Sequence, residues 1–165
     1  MEKDDLKFIH NIITHQIDKT DTKANFLLIL QLAVIGYLFT RLDTLNFSNY
    51  IMITSLIITL ILIIISLIFI LKTVWPRLTS DVLNTKSSLI YFRHIINSFK
   101  IENDELLKRF KDCNSEEFNK DLTNQIISLS NLALNKYKNI HKAIIFIILQ
   151  IISLIILIIL SSTIK

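Results

Sequence analysis

The chain has 165 residues, of which 52% are hydrophobic and 19% are charged, and its formal net charge is +4. It contains one glycine and one proline, so helix breakers are nearly absent and long helices are favoured over a β-rich fold. The single cysteine excludes an intrachain disulfide, and no zinc or redox motif accompanies it. The positive charges form no cluster of the kind that binds a nucleic-acid polymer.

Residues 1–24 carry the pattern of an amphipathic helix. Apolar side chains recur at spacings of three and four, which places them on one helical face: Leu6, Ile9, Ile13 and Ile17. The segment is charged and lacks the apolar core of a signal peptide. We therefore expect it to remain in the mature protein as a cytosolic helix that runs into the first membrane span.

Three apolar runs predict membrane spans. Residues 51–71 contain no ionisable side chain, and as a helix they extend about 32 Å, enough to cross a bilayer. The last run is interrupted by Gln150 and Ser153, neutral groups that a neighbouring helix can satisfy. The first run is shorter and needs interfacial residues at its ends. We place the spans at residues 25–40, 51–73 and 143–161.

The distribution of basic residues orients these spans. Four lysines precede the first span, whereas the loop at residues 41–50 offers only Arg41. Basic residues also flank the middle segment, and only Lys165 follows the last span. We expect the amino terminus and residues 74–142 to be cytosolic and residues 162–165 to be external.

The pattern of the middle segment, residues 74–142, also predicts helices. Trp75 and Pro76 mark the point where the chain leaves the lipid. From Glu116 onward, apolar residues recur at helical spacing and no breaker separates them from the last span. The sequence therefore predicts an all-α integral membrane protein, with three transmembrane helices extended by cytosolic helices into a small helical bundle.

None of the usual catalytic motifs is present, which disfavours an enzyme. Asp21 and Lys23 lie where the first span enters the lipid, and we expect both to face inward because ionisable groups at that depth prefer a partner or a watery cavity. The alternative is that they are interfacial anchors.

Other polar and aromatic residues lie at a similar depth. Cations near the cytosolic membrane face, Arg77 and Lys136 among them, can surround a small anionic ligand or bind lipid phosphate. The aromatic side chains of Tyr91, Phe92 and Tyr137 can stack on a base, although aromatic residues at helical spacing more often form core.

Four segments in order resemble the transmembrane effector family of bacterial Pycsar antiphage systems. They are DTKANFLLIL at residues 21–30, WPRL at 75–78, SSLIYFRHI at 87–95 and NQIISLSNLALNKYKNIHKAI at 124–144. Carried over residue by residue, the resemblance implies that the ligand-binding candidates are Asp21, Lys23, Arg77, Tyr91, Phe92, Gln125, Lys136 and Tyr137.

The resemblance implies a multi-pass effector in the bacterial inner membrane. It would sense a cyclic nucleotide from a partner cyclase, in the first place a cyclic pyrimidine mononucleotide, then impair membrane integrity and cause abortive infection. No cofactor is implied. The chain lacks a recognisable β-rich nucleotide-binding domain, so the messenger would bind helices or an interface between subunits.

Three spans leave little room for a polar pore in one subunit, so we expect a homo-oligomer in contact with membrane lipids. The alternative is a non-catalytic anchor or scaffold whose cytosolic helices dock a soluble partner.

Cys113 tests the orientation because it is the only thiol in the chain. In intact spheroplasts it should resist a membrane-impermeant maleimide, and after permeabilisation it should react. As a control, Ser162→Cys in a Cys113→Ser background should react in intact spheroplasts, because residue 162 is expected outside. Labelling of Cys113 in sealed cells would contradict the orientation.

Overall fold

The computed structural model describes residues 3–41, 49–75, 111 and 114–163. These residues form three long helices, α1 at Lys3–Arg41, α2 at Tyr50–Val74 and α3 at Ser115–Thr163, with no strand among them. Each helix is long and apolar enough to cross a membrane. The all-α fold class and the three candidate spans predicted from the sequence are confirmed.

Helix α1 is continuous from the charged amino-terminal segment to the end of the first span. Its ends carry charges that complement the helix dipole, with Asp4 and Asp5 in the first turn and Arg41 in the last. On the predicted apolar face of the amino-terminal part, Leu6 and Ile17 are buried. The amphipathic segment and the span are therefore parts of a single helix.

The other two helices start at asparagine caps. The side chain of Asn49 accepts a hydrogen bond from the Ile51 N–H at 2.9 Å, and that of Asn114 accepts one from the Glu117 N–H at 2.7 Å. Helix α2 ends where the Trp75 N–H bonds to the Leu71 carbonyl. Helix α3 runs 49 residues without a break, as the uninterrupted pattern after Glu116 predicted.

The chain divides into two compact units. One comprises Met1–Asp18 and Arg77–Leu134, and the other comprises Lys19–Pro76 and Asn135–Lys165. The second unit contains the apolar portions of all three helices, and it is referred to below as the span unit. Predictions that concern residues 42–48 and 76–110, and those for Cys113, lie outside the described residues.

Two apolar clusters form the core of the span unit. The first contains Ala24, Ile70, Ile140, Ala143 and Ile147, and the second contains Leu38, Met52, Leu56, Ile63 and Leu157. Both clusters draw on all three helices. Ala24 and Ala143 are completely buried, and their small side chains let the helix backbones approach closely, which is how helices commonly associate in lipid.

Ala24→Leu should destabilise the span unit by about 1–3 kcal/mol, because extra carbons in a packed core force side chains and backbone to shift. Ala33 is exposed on the same helix, so Ala33→Leu is the matched control and should change stability little. The free energy of unfolding in mixed micelles measures both. Equal effects of the two substitutions would show that close packing at Ala24 is unimportant.

Candidate functional site

An ion pair joins α1 and α3 at the start of the spans. The Lys136 ammonium donates a hydrogen bond to Oδ1 of Asp21, and the lysine side chain is only 5% exposed while that of Asp21 is 39% exposed. One helical turn further along each helix, Ala24 on α1 and Ile140 on α3 belong to the same buried cluster. Lys136 is therefore held among packed residues, with its charge compensated by a partly exposed carboxylate.

The expectation that Asp21 and Lys23 both face inward is correct for Asp21 and wrong for Lys23. The Lys23 side chain is exposed. Two residues apart on an α-helix correspond to about 200° of rotation, so side chains at these positions point to nearly opposite sides. The helical turn that brings Asp21 to Lys136 thus directs Lys23 outward.

The remaining candidates are distributed over the chain. Tyr137 follows Lys136 but is 42% exposed. Gln125 belongs to the other unit and is half-buried; its Oε1 is buried and makes no hydrogen bond in the part of the chain that the structure describes. Arg77, Tyr91 and Phe92 lie outside the described residues. Among the candidates that the structure describes, one pair is in contact, Asp21 and Lys136.

A second polar feature lies deep inside the spans and connects all three helices. The Nε2 atom of Gln31 on α1 donates to Ser66 Oγ on α2 at 2.6 Å and to Gln150 Oε1 on α3 at 2.8 Å. All three side chains are buried. We call Gln31, Ser66 and Gln150 the polar layer.

Thr59 and Ser153 form a further contact between α2 and α3. Their hydroxyl oxygens are 2.8 Å apart, and Thr59 also donates to the Ser55 carbonyl at 2.8 Å, so Ser153 is the donor in the contact between them. The sequence predicted that a neighbouring helix satisfies Gln150 and Ser153. This is confirmed for Ser153 and for the Oε1 atom of Gln150, whereas the Nε2 atom of Gln150 has no partner among the described residues. The sequence did not identify Gln31, Ser66 or Thr59 as the partners.

The polar layer is incompletely satisfied. The Gln31 Oε1 and Gln150 Nε2 atoms are buried and make no hydrogen bond among the described residues. An amide has more donors and acceptors than this arrangement uses, and an unpaired buried polar atom is costly. These two atoms are therefore the groups that would gain most from water or from a polar side chain of another helix.

A cluster that the sequence did not indicate lies beside the carboxyl-terminal end of α2 and the middle of α3. Phe69 and Phe146 stack with centroids 5.6 Å apart and ring planes within 8°. The ammonium groups of Lys72 and Lys142 lie 5.7 and 5.5 Å from the centroid of Phe69. Both lysines are exposed. The approach of these two lysines to one ring depends on how α2 packs against α3, which the sequence does not state.

The described residues contain no group of three His, Cys, Asp or Glu side chains that could hold a metal ion. They offer instead an ion pair at the start of the spans and hydrogen bonds within them. Such groups can bind an anion, or exchange partners when helices move, without chemical turnover.

Comparison with protein families shows which family has this arrangement of helices. The model of the Pycsar effector protein domain matches residues 5–163, nearly the whole chain. The chain belongs to the Pycsar effector family. Membership implies an effector of antiphage defence and suggests that it acts without catalysis, and the three apolar helices fit a multi-pass membrane protein. Comparisons with curated proteins and with solved structures gave no significant match.

Thr59→Val should destabilise the span unit by about 0.6 kcal/mol and at most about 1.7 kcal/mol, the average and the maximum measured for hydrogen bonds between membrane helices. Thr54 is the matched control, because it is exposed on the same helix and its hydroxyl bonds to the Tyr50 carbonyl of α2 itself. Thr54→Val should therefore have a smaller effect. Unfolding in mixed micelles measures both variants. If Thr54→Val costs as much as Thr59→Val, the interhelical hydrogen bond contributes nothing.

Proposed function

We propose that this protein is a membrane effector that a cyclic nucleotide second messenger activates during phage infection. The messenger, a cyclic pyrimidine mononucleotide made by a partner cyclase, would lead the protein to impair the inner membrane and cause abortive infection. The observation that carries the proposal is the family match over residues 5–163 of a chain with three candidate spans.

The ion pair offers a chemically reasonable point of contact for such a ligand. A cyclic mononucleotide carries one negative charge on its phosphate, as Asp21 does on its carboxylate, and phosphate oxygens form strong charge-assisted hydrogen bonds with lysine. In our proposal the phosphate competes with Asp21 for Lys136. Asp21 then holds Lys136 in the resting state, and the messenger favours the state in which this pair has separated.

The geometry of the spans indicates why several copies would be needed. In one subunit the polar layer lies in the interior and is paired across the three helices. A groove of about 600 Å³ between α2 and α3 is lined mainly by apolar side chains such as Ile58, Leu149 and Ile152. Neither feature is a polar path across a bilayer. We propose that leakage arises in a homo-oligomer whose helices have rearranged.

The energetic requirement is simple. A ligand shifts a conformational equilibrium only by the difference between its affinities for the two states. Moving the ratio of resting to open states from 99:1 to 1:99 takes about 5.5 kcal/mol of differential binding. Separation of a single ion pair cannot supply all of this, so binding by several subunits would contribute together.

The central test is dye release from liposomes that contain the purified protein. Addition of a cyclic pyrimidine mononucleotide should release the dye, and the same nucleotide without protein should not. A linear nucleotide monophosphate controls for non-specific anion effects. If no cyclic nucleotide causes leakage or measurable binding, while a soluble protein binds the cytosolic helices, the anchor or scaffold interpretation replaces this proposal.

Exchanging the two charges tests the role of Lys136. The double variant Asp21→Lys, Lys136→Asp retains an ion pair between α1 and α3, so it should insert and remain close to wild type in stability. It should not release dye, because a carboxylate now occupies the buried position that would contact the phosphate. A normal response of this variant, with normal abundance in the membrane, would show that Lys136 does not contact the messenger.

Asp21→Asn provides the complementary test. It removes the charge that competes with the phosphate and keeps a side chain of similar size. The concentration of messenger for half-maximal release should fall about threefold to fivefold, as expected if about 0.6–1 kcal/mol of the energy of this partly buried ion pair opposes binding. An increase in that concentration would contradict competition between Asp21 and the ligand.

A further inference from the structure

We propose that Lys72 and Lys142 form one binding site for a phosphodiester anion beside the carboxyl-terminal end of α2 and the middle of α3. Both ammonium groups lie within 5.7 Å of the centroid of the same ring, that of Phe69. This site is separate from the Asp21–Lys136 pair and does not depend on the identity of the messenger.

The aromatic pair fixes the position of the two lysines. Phe69 packs against the buried cluster of Ala24, Ile70 and Ile147, and its ring is stacked on Phe146. The faces of an aromatic ring attract cations. A ring held in this way gathers a lysine from each of two helices.

Within the part of the chain that the structure describes, no carboxylate offsets the charge around this ring. Among the described residues, neither Lys72 nor Lys142 forms an ion pair with a carboxylate. Lys138 lies one turn before Lys142 and is exposed, and residues four apart share a helical face. Two ammonium groups at one ring repel each other, so an anion bound between them would remove the repulsion and use both as donors.

The position along α2 indicates which anion chemistry is within reach. Trp75 follows Lys72 by one turn and is 85% exposed at the end of the apolar helix. Tryptophan at such a position is typical of the headgroup region of a membrane. A phosphodiester is the common feature of a phospholipid headgroup and a cyclic nucleotide, and both can approach at this depth.

Trp75 also supplies a reporter, since it is the only tryptophan in the chain. The protein is placed in phosphatidylcholine nanodiscs with a fixed fraction of brominated lipid, either phosphatidylglycerol or phosphatidylcholine. Bromine quenches tryptophan at short range, so bound phosphatidylglycerol should quench Trp75 more strongly than equal amounts of brominated phosphatidylcholine. A second arm adds cyclic mononucleotide to nanodiscs that lack phosphatidylglycerol and follows Trp75 emission.

Lys72→Gln and Lys142→Gln should each lower the affinity for the anion about fivefold in the arm of the experiment that shows binding. This is the effect of losing about 1 kcal/mol at an anionic surface. Lys120→Gln removes a charge from an exposed position near the start of α3 and should leave the affinity for the anion unchanged. Lys72→Arg keeps the charge and should retain binding. Loss of binding in Lys72→Gln but not in Lys72→Arg would therefore be due to the missing charge.

The double variant Lys72→Gln, Lys142→Gln distinguishes one shared site from two independent lysines. If both lysines bind one phosphate, the combined loss should be smaller than the product of the two single losses, because residues that share a partner are not additive. Preference for brominated phosphatidylglycerol identifies the anion as lipid, and a response to the nucleotide alone identifies it as soluble. Wild-type binding in both single variants, or strictly multiplicative losses, would overturn the proposal.

Discussion

Inside the spans, Gln31 bonds to both Ser66 and Gln150, and interhelical hydrogen bonds of this kind are one of the interactions on which helix association in lipid depends. In water, apolar burial alone can drive helices together. In lipid, the hydrocarbon around the protein is as apolar as isoleucine, so helix association depends on close packing and interhelical hydrogen bonds. The polar layer connects one residue from each helix. Small residues such as Ala24 and Ala143 allow close contact in the apolar cluster that lies about two helical turns away along α1 and α3.

Under the proposed function these contacts would have to change, and the same constraint bears on the energy of that change. A polar side chain inside lipid needs a partner, but it can exchange one partner for another at little net cost. The unpaired atoms Gln31 Oε1 and Gln150 Nε2 already have the capacity for new bonds. Water, or a polar side chain of a second subunit, would satisfy both atoms in a rearranged state. The new hydrogen bonds would lower the free energy needed to disrupt the packing within one subunit.

The architecture was largely predictable from the sequence. Uninterrupted apolar runs allow few structures in lipid other than helices, since only helices satisfy the backbone within one segment. The continuity of α3 followed from the absence of a breaker after Glu116, and the need of Gln150 and Ser153 for partners followed from their polarity. These predictions depend on composition and local spacing, which the sequence states directly.

The pairing of side chains was less predictable. Lys136 and Asp21 are 115 positions apart, and their contact depends on how α1 and α3 are rotated and shifted along their axes. The same holds for Gln31 with Gln150 and for the lysines around Phe69. The error on Lys23 had a simpler cause, because its position relative to Asp21 on a helix already directs it to the other side.

The most direct test of the central account is the water accessibility of the polar layer in the two states. A single-cysteine protein is made with Cys113→Ser and Ser66→Cys, which replaces a buried hydroxyl by a thiol of similar size. In liposomes, a water-soluble thiosulfonate should react slowly with this thiol at rest and at least tenfold faster after addition of the messenger. Dye release with no change in the reactivity of the thiol would contradict the account, because the membrane would then leak without opening of the polar layer.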